Sequence, residues 1–129
     1  MEILASRILI RPTDYARSLV FYRDELGLAI AREYGAGTVF YAGQSLIEIA
    51  GHGHSDADDG RFPGALWLQV RDIQATQAEL QARNVTITRT AREEPWGLHE
   101  MHVADPDGTT LIFVQIPDDH PLRKDARSL

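Results

Sequence analysis

The sequence predicts an α+β domain: tandem βαβββ modules forming a cup-shaped mixed sheet with helices on its outer face. Three observations carry that prediction. The chain holds an internal duplication, since "SRILIRPTDYARSLVFYRDELGLAI" and "GALWLQVRDIQATQAELQARNVTI" both run strand, turn, helix, strand. Laying Asp14 over Asp72 puts Ile8 on Leu66, Ile10 on Leu68 and Pro12 on Val70, so the alternating apolar pattern coincides. Each copy is followed by further short strand candidates, and the two are separated by "GHGHSDADDGRFPG", polar and Gly-rich, which reads as a linker. The expected layout is a first module over 1–50, a linker over 51–63, a second module over 64–116 and a loose, charged tail over 117–129, one domain overall.

The elements follow in order. "RILI" alternates as a strand. The first helix places Tyr15, Leu19, Tyr22 and Leu26 on one face and stops at Gly27, a C′ glycine. "LAIAREY", "TVFYAG" and "SLIEIA" complete the first module as strands. "ALWLQV" opens the second. Its helix starts at Asp72, a good N-cap, presents Ile73, Thr76 and Leu80, and ends before Asn84. "VTITRT", "LHEMHVA" and "TTLIFVQI" are the remaining strands. One helix covers only one face of each module's sheet, which leaves the helix-free faces to form the cup.

Bulk properties exclude several classes. The chain has no cysteine, so disulfides, thiolate metal sites and cysteine nucleophiles are absent. No apolar run approaches the roughly 20 residues of a membrane span, and the N-terminus lacks a small-residue cleavage signature, so a cytoplasmic protein with no membrane partner is expected. A net charge of -6 argues against nucleic acid, which needs clustered Lys and Arg. It suits a cationic ligand.

"RSLVFYRDELGL" and "VADPDGTTLIFV" resemble the two signature segments of the glyoxalase/bleomycin resistance/dioxygenase superfamily, the vicinal oxygen chelate proteins, over about residues 7 to 116. "EEPWGLHEMHVADPDG" is similar to the bleomycin resistance branch, where a Pro-Trp-Gly loop precedes the last hairpin. That branch implies a homodimer that sequesters a small molecule in crevices between subunits, without chemistry. Other branches imply a divalent metal in the cup and isomerase, lyase or ring-cleaving activity. Their four ligand positions, usually His, Glu or Gln, fall here on Arg7, Glu48, Ala65 and Ile112. One carboxylate cannot hold a divalent ion that wants three or more protein donors, and a guanidinium repels it. The expectation is therefore no metal and no cofactor, with Arg7 paired to Glu48 across the cup.

"HEMH" does not restore a metal site. On a strand, His99 and His102 have opposite parity, and the family pattern turns Glu100 and His102 to the cup while His99, Met101 and Val103 face away. His52, His54, Asp56, Asp58 and Asp59 could collect a metal, but a solvated linker is the simpler reading. Parity gives the cup Arg7, Leu9, Arg11, Leu46, Glu48, Ala50, Ala65, Trp67, Gln69, Thr110, Ile112 and Val114. The helix side receives Ile8, Ile10, Ile47, Ile49, Leu66, Leu68, Val70, Leu111 and Phe113.

The expected ligand-binding residues are Arg7, Tyr34, Glu48, Trp67, Gln69, Trp96, Glu100 and His102, with no catalytic residue assigned. Tyr34 is the aromatic that this sequence offers where the branch carries aromatics after the first helix. A cationic or aromatic ligand would stack on Trp67 and Trp96, attracted by Asp58, Asp59, Glu93 and Glu94. Trp96→Ala is expected to weaken binding and leave the melting temperature nearly unchanged. The alternative is a superfamily lyase, isomerase or dioxygenase using Glu48 and His102 for acid/base work.

Overall fold

The computed structural model describes residues 1–53 and 60–123. His54, Asp56, Asp58 and Asp59 of the linker and the end of the tail lie outside the described residues. The first module consists of β1 (Ile8–Ile10), α1 (Tyr15–Val20), β2 (Ile30–Tyr34), β3 (Gly37–Ala42) and β4 (Ser45–Ala50). The second consists of β5 (Ala65–Gln69), α2 (Ile73–Ala82), β6 (Ile87–Glu93), β7 (His99–Ala104) and β8 (Thr110–Gln115). The strand orders β1-β4-β3-β2 and β5-β8-β7-β6 are equivalent, with β1–β4 and β5–β8 parallel and the rest antiparallel. The expected wall therefore consists of two mixed sheets, and β1 and β5 are both edge strands.

Both helices start on an aspartate cap. Asp14 accepts from Arg17 N–H at 3.0 Å and Asp72 from Ala75 N–H at 3.1 Å, each with extended backbone at the cap. α1 does not run on to Gly27 as a regular helix: it widens into a π-helical turn over Phe21–Glu25, closed by Leu26 N–H on the Phe21 carbonyl at 2.8 Å. The wider turn lets the adjacent Phe21 and Tyr22 both go inside, packed edge to face at 5.0 Å.

The helix-side set read from parity forms the core. Ile10, Ile47, Ile49, Leu66, Leu111 and Phe113 are buried in one cluster with Phe21, Tyr22, Ile73, Leu80, Met101 and Val103, and Ile8, Leu68 and Val70 pack on it. That single cluster spans both modules. Polar ties reinforce it: the Tyr22 hydroxyl donates to Asp105 at 2.8 Å, and Arg83 donates to the Glu25 carbonyl at 3.3 Å. The helices thus lie outside an open sheet, and the opposite faces are covered only in part: Val39, Glu48 and Val114 are buried, while Leu9 is 38% exposed and Trp67 49%.

Candidate functional site

The eight expected site residues divide between the two sheets. Arg7, Tyr34 and Glu48 meet on the first. Leu9, Glu48 and Val39 lie side by side across β1, β4 and β3, and Glu48 is buried. Arg7 Nη1 donates to Glu48 Oε1 at 2.8 Å. The Tyr34 hydroxyl donates to Glu48 Oε2, and its oxygen lies 2.9 Å from His52 Nε2. Tyr34 reaches across because its register partner is Gly37, where a Cβ would collide with the Tyr34 hydroxyl. The Tyr34 hydrogen bond, then Arg7, outweigh burial and hold the Glu48 carboxyl below the ordinary range. The same bond raises the Tyr34 phenol, so it serves as a donor rather than a base.

Trp67, Gln69, Glu100 and His102 lie on the second sheet. Register places Trp67, Ile112, His102 and Arg89 in one row across it, and Gln69, Val114 and Glu100 in the next. Glu100 and His102 are thus on the face opposite Met101 and Val103, which are core. Pro95 and Gly97 turn the chain so that Trp96, 57% exposed, donates from Nε1 to the buried Glu100 Oε2 at 2.8 Å. Burial, then Arg89, hold His102 below the ordinary imidazole value, so the ring is neutral at pH 7.

Glu94 corrects one expectation. It is buried rather than a surface acid, and Arg89 and Arg92 pair with it. Burial pushes its carboxyl up, and the hydrogen bonds and charges of those arginines outweigh burial and hold it low. It is already neutralised and attracts no ligand cation. Arg89 is the site neighbour that sequence reasoning missed, and it read His52 and Glu94 only as a linker histidine and a surface acid. His52 follows Glu48 by four residues, but its contact runs through Tyr34, which only tertiary register reveals.

The metal implied by the fold would meet a poor donor set here. Arg7 and Glu48 are locked together on one sheet, while Ala65 and Ile112 on the other offer no donor atom from their side chains. Among the described residues no three His, Asp or Glu side chains gather as a metal site. The residues do not fit the metal.

The family model described as Glyoxalase/Bleomycin resistance protein/Dioxygenase superfamily matches residues 5–113. The chain belongs to that superfamily. Among superfamily relatives, a lactoylglutathione lyase of Haemophilus influenzae is 31% identical over 127 residues, covering 89% of this chain and 93% of that protein. A superfamily member from Sphaerobacter thermophilus has a solved structure with a TM-score of 0.69 at 26% identity, covering 89% of this chain and 98% of that one. The lactoylglutathione lyase structure from Agrobacterium tumefaciens gives 0.67 at 17% identity, with 89% and 96% covered, and shows the fold alone. No helix among the described residues is long and apolar enough to cross a membrane.

Proposed function

We propose that this superfamily member is a metal-free, small-molecule-binding protein of the bleomycin resistance type, acting as a homodimer. The carrying observation is the Arg7–Glu48 pair at 2.8 Å: the one carboxylate at a ligand position is already neutralised by a fixed cation. Exposed Trp67 and Trp96 beside Gln69, Glu100 and neutral His102 supply what an aromatic ligand needs, apolar area with a few oriented polar groups. Each ring stack contributes on the order of 1 kcal/mol. A cationic ligand keeps support from the net charge of -6, though not from Glu48 or Glu94, which have partners. The split of the site residues over two sheets favours a dimer, in which the first sheet of one copy would meet the second sheet of another.

The lactoylglutathione lyase relative at 31% identity favours a second reading, a lyase. Glu48 and His102 would then work without metal, His102 as a neutral base. The deciding experiment measures elemental metal content of untagged protein after incubation with mixed divalent ions and desalting, alongside an assay for lactoylglutathione turnover. Near-zero metal and no turnover are expected. About one metal per chain sinks the metal-free reading, and turnover without metal establishes the lyase.

A further inference from the structure

A cavity of about 640 Å³ opens where the β3–β4 turn passes the free edge of β5. Neither Glu48 nor Glu100 lines it, so it lies away from both carboxylates described above and meets the second-sheet group only at Trp67 and Gln69 on its rim. Its floor is apolar: Leu28, Ala42, Leu68 and Phe113, all belonging to the common core or packed on it. Its volume lies within the roughly 300–1,000 Å³ of small-molecule sites.

Two features decide what it would hold. The first is charge. In a chain with a net charge of -6, no lining residue is acidic, and the one ionised lining side chain is the exposed Arg71. The neighbouring Asp72 carboxylate is engaged by Ala75 N–H at 3.1 Å as the helix cap. Among the described residues Arg71 has no ion-pair partner, which leaves a planar fork of donors able to grip a carboxylate. The second is the strand edge. Val70 N–H donates inward to the Val114 carbonyl at 2.8 Å. Successive amides of a strand point to opposite edges, so the Gln69 amide points outward, where among the described residues no strand pairs with β5.

We propose that this cavity binds a monocarboxylic acid with an apolar, aromatic body. The body rests on Leu68 and Phe113 and reaches the rim at Trp67, and the carboxylate accepts from Arg71 and the Gln69 backbone amide. An inorganic anion would leave the apolar floor unused. A cation would meet Arg71. This site shares Trp67 and Gln69 with the ligand face proposed above, while its floor and Arg71 belong to it alone.

The test titrates the full chain with 1-naphthaleneacetate and with its neutral analogue 1-naphthaleneacetamide, by calorimetry and amide NMR. The acid should shift Ser45, Leu68, Gln69 and Arg71, and bind about tenfold tighter than the amide, the factor one charge-assisted hydrogen bond supplies. Arg71→Ala, at an exposed position that the fold tolerates, should remove that advantage and leave amide binding unaltered. Trp96→Ala should leave naphthaleneacetate binding intact, which separates this site from the sheet-face ligand. Equal affinity for acid and amide overturns the proposal, as does an Arg71→Ala variant that binds normally. So do shifts confined to Trp96 and His102.

Discussion

Glu48 shows how a single side chain is fixed by its neighbours. Its carboxylate is held low by Tyr34 and Arg7, so the stability it contributes is complete above the ordinary glutamate pKa of about 4.3 and is lost as pH falls through the lower folded value. Glu48→Gln should destabilise by about 1 kcal/mol at pH 7, a modest figure because the Arg7 side chain is 39% exposed. The difference from wild type should shrink as acid protonates Glu48, in urea titrations run from pH 7 down to 3. A constant difference would mean that Glu48 keeps its proton state. Trp96 revises a sequence expectation: because its indole N–H satisfies buried Glu100, Trp96→Ala should cost about 1–2 kcal/mol and lower the melting temperature. Among the described residues the side chain of Trp67 makes no hydrogen bond, and Trp67→Ala should lower it less in the same thermal scan. Parity made Glu100 and His102 legible as one face, and charge made the Arg7–Glu48 pair legible. Glu94 was not legible, since its parity is opposite to that of Arg89 and the two meet across a register shift between Arg89 and Arg92.

At the scale of elements, the first helix is where periodicity and structure part. A 3.6-residue repeat reads Tyr15, Leu19, Tyr22 and Leu26 as one face, yet the residues that go fully inside are Ser18, Phe21 and Tyr22. The core of the second module pulls Tyr22 toward Asp105, and the chain widens to a π turn to bury Phe21 as well. A single-sequence pattern cannot show that competition, because the partner lies 83 residues away. Asp72, by contrast, was legible as a cap, since a cap is a local contact. Burial first, then Asp105, push the Tyr22 phenol far above its ordinary value, so it donates at every working pH. Tyr22→Phe keeps the ring and removes that donor. Asp105 Oδ1 retains the Asp107 and Thr109 amides, while Oδ2 loses its partner. The expected cost is about 2 kcal/mol, or roughly 6–10 °C in melting temperature at this chain length. A loss below 0.5 kcal/mol in equilibrium unfolding would show that water replaces the hydroxyl there.

At the scale of the molecule, duplication explains both the fold and its incompleteness. Two modules share one core on the helix side, and each leaves a sheet face that its own chain covers only in part. Leu9, 38% exposed, and Tyr41, 54% exposed, stand on the first, and Trp67, 49% exposed, on the second. Apolar side chains gathered on open faces favour association, and a self-complementary dimer about a two-fold axis would cover both at once. A stable interface takes about 800 Å² from each partner, near a tenth of the 8219 Å² that one chain exposes. Sedimentation velocity at tens of micromolar should therefore find the wild type at twice the chain mass. Leu9→Lys places a charge on the open face beside Glu48, where its own fold tolerates it because the position is partly exposed. It should shift the protein to monomer while the far-ultraviolet spectrum stays unchanged. A wild type that sediments as a monomer removes the dimer, and the crevice between subunits with it. A Leu9→Lys dimer keeps association but moves the interface off the first sheet, and the ligand would then have to be held by the Trp67 and Trp96 face of one chain.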